Sequence, residues 1–160
     1  MSHFFKQDTD GGFSIVDVVS ARTVRKFYAN GGSQKELTAT YTVPQSENGT
    51  TYYLNSATEF VTTLPAPFLG AEYEFIVKAA PSSASYTVVT ASSANIIKGI
   101  AFNGEAAGVG DSGSADDTIT FVDGQALAGD KVIVKSDGTS WFATAFCKVA
   151  AGITFTQAST

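Results

Sequence analysis

Lys131-Val132-Ile133-Val134-Lys135-Ser136-Asp137-Gly138-Thr139-Ser140-Trp141-Phe142-Ala143-Thr144-Ala145-Phe146 places an Asp-Gly pair between two apolar runs. Aspartate and glycine tolerate the backbone angles of a tight reversal, so the stretch predicts a β-hairpin. β-Branched and aromatic residues dominate both arms, and these suit a pleated surface. The same grammar recurs outward from it. Ile119 and Phe121 alternate with Thr118 and Thr120, and Ile153 and Phe155 alternate with Thr154 and Thr156. Upstream, Leu37, Ala39, Tyr41 and Val43 alternate with Thr38, Thr40 and Thr42. A period of two gives a half-buried strand one apolar and one hydroxyl face. Tyr73–Val77, Tyr86–Val89 and Val132–Val134 are more continuously apolar, as central strands are.

The separators carry turn chemistry. Glu47-Asn48-Gly49-Thr50 precedes the strand expected at Thr51–Asn55, and Pro65-Ala66-Pro67 closes the run Glu59–Leu64. The lone sequon Asn48-Gly49-Thr50 reads as this turn rather than as a glycan site. Gly104–Ser114 holds four glycines and one large apolar residue, Val109, and reads as a long surface loop. No stretch keeps a 3.6-residue apolar stripe over three turns. About ten short strands at turn spacings of roughly 8–12 residues predict an all-β fold. The expected architecture is an antiparallel β-sandwich or barrel, jelly-roll-like, with an extended N-terminal arm.

Composition excludes more functions than it supports. The 160 residues carry 10 Lys and Arg against 15 Asp and Glu, a net charge of −5. Nucleic-acid binding is not expected, because phosphate neutralisation needs a basic face. No apolar run approaches the roughly 20 residues of a membrane-spanning helix. One cysteine precludes an internal disulfide or a thiolate-rich zinc site. Met1–Asp8 lacks the basic start and apolar stretch of a secretory signal, so synthesis in a cytosol is expected. Charged residues make up 16% of the chain against about 25% in ordinary domains, which fits either a surface given to association or a polar β surface that uses Thr at exposed strand positions.

Residues 1–37 differ from the remainder. They hold five basic and four acidic residues, net +1, whereas 38–160 hold five basic and eleven acidic residues, net −6. Ala29-Asn30-Gly31-Gly32-Ser33-Gln34 reads as a hinge. The expected organisation is therefore an arm at 1–37 and an all-β domain at 38–160. Phe13–Val19 and Arg22–Tyr28 could pair as a hairpin within the arm. Phe4, Phe5, Arg22, Arg25, Lys26, Phe27 and Tyr28 are its candidate interface residues, because aromatic and arginine side chains anchor protein interfaces. Most other aromatics occupy strand positions compatible with a core.

Catalytic chemistry finds little material. The one histidine, His3, lies three residues from the chain start, so no Ser-His-Asp arrangement placed by the fold is expected. Cys147 follows a strand and reads as a small core residue. Glu72 and Glu74 share a strand face and resemble an acid/base pair, but carboxylates on outer strand faces are commonplace. Asp111, Asp116, Asp117 and Asp123 supply oxygens without the spacing of a calcium loop, so a solvated loop is the preferred reading. No catalytic residue, metal or cofactor is expected.

Tyr52–Pro67, Gly70, Tyr73–Pro81, Tyr86–Thr90, Ala94–Gly99, Gly129–Val132 and Ser136–Trp141 together resemble a module of tailed-phage structural proteins. The likeness is to small head decoration (cement) proteins and to the beaded domains of phage fibres, and it covers roughly residues 38–157. It implies a non-enzymatic virion component, often a homotrimer. Such a protein binds the outer capsid surface through the major capsid protein and strengthens the shell against internal DNA pressure. Decoration proteins commonly reach the shell with an N-terminal arm; the seven arm residues named above match no family motif. The alternative is a tail-fibre or receptor-binding module contacting host glycans.

Overall fold

The Asp-Gly stretch is a hairpin. In the computed structural model, which describes residues 3–7, 13–17, 23–27, 33–56, 58, 60–105 and 110–157, the chain divides into two units, Met1–Ser33 and Gln34–Thr160. Within the second unit, β13 (Lys131–Asp137) pairs antiparallel with β14 (Trp141–Cys147), Ser136 lying opposite Trp141. Oδ1 of Asp137 accepts from the backbone N–H groups of Thr139 and Ser140 and from the Thr139 hydroxyl, each at 2.8 Å. Gly138 sits at φ +98°, where a side chain would be strained.

The bonds from Ser140 N–H, Thr139 N–H and the Thr139 hydroxyl hold the Asp137 carboxyl at about 2, below its ordinary 3.8. A carboxyl depressed by folding stabilises the native state above its unfolded pKa and loses that contribution as pH falls through the folded one. The stability gap between wild type and Asp137→Ala is therefore expected to be constant above about pH 5 and to shrink between about pH 4 and 2. Denaturant midpoints measured across that range check it.

The first unit is a three-stranded antiparallel sheet of β1 (His3–Gln7), β2 (Phe13–Asp17) and β3 (Thr23–Phe27), in the order β1-β2-β3. The expected hairpin is present as β2 and β3. The extended arm is not, because β1 adds a third strand by pairing with β2. Phe4 and Phe5 are adjacent rather than alternating, so β1 leaves no period-two signal, while two strands by themselves are marginal. The division at Ser33 also moves Gln34–Leu37 out of the arm: it is β4, an edge strand of the second unit paired with β6 (Thr51–Leu54).

The second unit is an all-β sandwich. One sheet has seven strands, in the order β11-β10-β14-β13-β8-β6-β4, and the other five, β15-β12-β9-β7-β5. The remaining strands are β5 (Tyr41–Thr42), β6 (Thr51–Leu54), β7 (Phe60–Thr63), β8 (Leu69–Val77), β9 (Tyr86–Val89), β10 (Ile97–Asn103), β11 (Ser112–Asp116), β12 (Thr118–Phe121) and β15 (Ile153–Thr156). The described residues form no α-helix, and the two sheets pack face to face without closing into a barrel.

Both sheets are mixed rather than purely antiparallel. From β4 to β9 successive strands alternate between the two sheets. A chain that reverses at every crossing returns to its own sheet pointing the same way. Hence β4·β6, β6·β8, β5·β7 and β7·β9 are all parallel. The expected continuous strand over Leu37–Val43 is split by the first crossing, with Leu37 in one sheet and Tyr41 in the other. Of the loop expected at Gly104–Ser114, residues 106–109 lie outside the described residues and 104, 105, 110 and 111 are not strand. Only its end is corrected, because β11 takes residues 112–114 into the sheet edge, and Gly110 lies so close to β10 that a Cβ would sit 1.7 Å from the Ala101 carbonyl oxygen.

Inward positions follow the period of two. Tyr52, Leu54, Tyr73, Phe75, Val132, Val134 and Trp141 of the larger sheet meet Tyr86, Val88, Ile119, Phe121 and Ile153 of the smaller one in a single core. Phe75 stacks on Tyr52, with centroids 5.2 Å apart and planes at 16°. Cys147 is buried in that core, as expected, and its thiol is pushed up chiefly by burial.

Candidate interaction surface

Trp141, buried with Ala143 and Ala145, fixes the parity of β14. Phe142, Thr144 and Phe146 consequently point away from the core, and so do Lys98, Ile100 and Phe102 on neighbouring β10. The two strands are parallel, with Lys98 opposite Phe142, Ile100 opposite Thr144 and Phe102 opposite Phe146. Four large apolar side chains thus share one outer face: Ile100 is 46% exposed, Phe102 51%, and Phe142 and Phe146 44% each. Phe102 and Phe146 stack with centroids 5.7 Å apart and planes at 22°. Lys98 Nζ lies 5.3 Å from the Phe142 centroid and Lys131 Nζ 6.0 Å from that of Phe146, within cation–π range.

The core placement expected for most aromatics fails at these three phenylalanines. β14 is apolar on both faces, so alternation could not say which way it points. The usable signal was size: the other face carries Ala143 and Ala145, small enough to pack beneath the opposite sheet once Trp141 is inside. Two flanking strands continue the face with charge. Lys131 and Lys135 of β13 form ion pairs with Glu74 and Glu72 of β8, at 3.0 and 3.3 Å. The carboxylates weighed as an acid/base pair are each engaged by a lysine, and Glu74 also accepts from the Thr51 hydroxyl.

The candidate arm residues fall on the first unit. Phe4 and Phe5 lie on β1, opposite Val16 and Ile15 of β2, while Arg25, Lys26 and Phe27 lie on β3, opposite Ile15, Ser14 and Phe13. One small sheet therefore brings five of the seven together along the chain's pairing register; Arg22 and Tyr28 lie outside the described residues.

Asn48, Asp111 and Asp117 have structural partners, whereas Asp116 Oδ2 is buried without a hydrogen-bond partner. Asn48 accepts from Glu72 N–H through Oδ1 and donates to the Gly70 carbonyl through Nδ2, with Gly49 at φ +82°, so this segment is the expected turn. Asp111 accepts from the Phe155 N–H at 2.6 Å and Asp117 from the Thr118 hydroxyl at 2.6 Å. Burial, followed by the charges of Asp111 and Asp117, raises the Asp116 carboxyl. Among the described residues no group of three or more His, Cys, Asp or Glu is placed to hold a metal ion.

A further network, absent from the sequence reading, surrounds Glu47. Its Oε1 accepts from Lys35 Nζ at 3.0 Å and from the Tyr41 hydroxyl at 2.8 Å, and its Oε2 accepts from the Tyr52 hydroxyl at 2.6 Å. Burial opposes its charge, yet the bonds from Tyr52, Lys35 and Tyr41 hold the carboxyl below its usual range. Burial and Glu47 drive the Tyr52 phenol far upward, and burial with the same charge pushes Tyr73 to about 12. The network ties β4, β5 and β6 to the turn at Gln45–Glu47.

No protein-family model matches the chain, and no curated protein or solved structure is significantly similar to it.

Proposed function

We propose that the chain is a non-enzymatic virion protein of a tailed bacteriophage. In this reading it is a capsid decoration (cement) protein that binds the major capsid protein on the outside of the head as a homotrimer and stabilises the shell. The observation that carries the reading is the division at Ser33. Met1–Ser33 holds four basic and three acidic residues, net +1, while Gln34–Thr160 holds six basic and twelve acidic residues, net −6. A small sheet bearing Phe4, Phe5, Arg25, Lys26 and Phe27 is suited to attachment, and an acidic sandwich with paired surface charges is suited to remain exposed. Three linked attachment units gain avidity, so each contact can be modest. The phage-like turn and strand grammar of residues 38–157 points the same way.

Co-sedimentation with expanded capsids tests it. The full chain is expected to bind, and removal of residues 1–33 is expected to abolish detectable binding, because every copy then lacks its attachment unit. Unchanged binding after the deletion would remove the attachment role. Binding to host cells by protein that ignores capsids would instead favour the receptor-binding fibre module.

A further inference from the structure

We infer that the outer face of the seven-stranded sheet, centred on Ile100, Phe102, Phe142 and Phe146, is where copies of this chain meet, each presenting the same face to the others around a symmetry axis. Two properties of the face select that occupant. The first is its charge. Among the described residues the face carries Lys78, Lys98, Lys131 and Lys135 against Glu36, Glu72, Glu74 and Asp137, a net of zero. Three of those acids are paired on the face itself, Glu36 with Lys78, Glu72 with Lys135 and Glu74 with Lys131. The rest of Gln34–Thr160 holds two lysines against eight acids, so the whole −6 of the unit lies elsewhere. Local like-charge repulsion between approaching copies is least across this compensated surface. An acidic or basic foreign partner gains no steering from it.

The second is its area and layout. Four side chains at 44–51% exposure leave on the order of 300–400 Å² of apolar surface, the size at which patches on monomers are often functional. Seven strands at about 4.8 Å spacing and roughly 20 Å height give a face of roughly 600 Å² before side-chain relief. That approaches the ~800 Å² per partner of a stable interface. The phenyl groups form an apolar centre and the lysine–glutamate pairs a polar rim, which is the anatomy of a protein interface. Ring stacking between Phe102 and Phe146 orders two of the anchors before contact, which lowers the entropy lost on docking.

The contact needs no capsid, so it is separable from the proposed function, from which it borrows only the number of copies. The test is mass in solution for the full chain, by sedimentation equilibrium, beside Phe102→Glu, Phe146→Glu and, as a control on the other sheet, Thr156→Glu. Wild type and Thr156→Glu are expected as oligomers. Phe102→Glu and Phe146→Glu are expected as 16.7 kDa monomers with unchanged circular dichroism, since both side chains already face solvent. Raising salt from about 0.1 to 1 M should leave the oligomer intact, because the pairs on the face are internal to each copy. A wild-type monomer, an oligomer that survives both phenylalanine substitutions, or one that dissociates in high salt overturns the inference. So does a wild type that is itself a monomer and loses capsid binding on Phe146→Glu, which would give the face to the shell. An oligomer that behaves as expected but ignores capsids keeps the contact and removes the decoration role.

Discussion

Replacing Phe75 with alanine is expected to cost about 3–5 kcal/mol, the range for emptying a buried phenyl site. Phe75 is fully buried at the centre of β8, stacked on Tyr52, with β13 on one side of its strand and β6 on the other. Sheets hydrogen-bonded on both sides of β8 resist collapse into the vacated volume, so the cavity persists and the cost stays near the upper end. A domain of ordinary stability has about 5–15 kcal/mol to lose, and the melting temperature is expected to fall by roughly 10–15 °C. Thr42→Ala, on an exposed position of β5, is expected to change stability by less than about 0.5 kcal/mol. Thermal melts of the two variants beside wild type decide the matter. Similar small shifts in both would contradict the assignment of inner and outer faces.

Glu47→Ala is expected to destabilise by about 3 kcal/mol, although the glutamate lies on a short turn and is only partly buried. Hydrogen bonds to a charged acceptor contribute about 1.5–3 kcal/mol, and removing the acceptor leaves the Tyr52 hydroxyl buried with no bond. Tyr52→Phe removes the donor as well, so the Glu47→Ala penalty is expected to fall by about 1–2 kcal/mol in that background. Hydrogen exchange should show the loss at β4 first, because Lys35 links that edge strand to Glu47. Acid has the same effect by another route. Folding holds the Glu47 carboxyl below its ordinary 4.5, so its stabilisation is present above that value and is lost as pH falls beneath it. The alanine variant lacks this part of the acid response, and pH-dependent melts of wild type and variant measure the difference.

Strand identity was readable wherever one face is apolar and the other is not. β12 and β15 alternate threonine with large apolar residues, and each lies in the sandwich with its apolar positions inward. The signal failed in three physical situations. β11 has no large apolar residue, because an edge strand whose glycines approach neighbouring groups needs none. β14 is apolar on both sides, so its exposed phenylalanines looked like core. β1 has its two phenylalanines side by side, which gives no period. The Glu47 network was hidden for another reason: Lys35, Tyr41, Glu47 and Tyr52 come from separate elements, and spacing along the chain does not encode their meeting.

The amino-acid sequence by itself determined that this protein is all-β, where most of its chain reverses, and that the first thirty-odd residues form a separate part with the opposite charge balance. These follow from local chemistry: side-chain alternation, turn residues and the count of ionisable groups act within a few residues of one another. Tertiary structure alone decided which reversals stay within a sheet and which cross to the other. Asp137-Gly138 folds β14 back beside β13, whereas the turn at Asn48-Gly49 carries the chain from β5 in one sheet to β6 in the other. Both are turns of permissive residues, and what separates them is the partner each following strand finds: β13 for one, β8 and β4 for the other. Pairing partners are chosen by burial of the joint core, an energy that belongs to all the strands together.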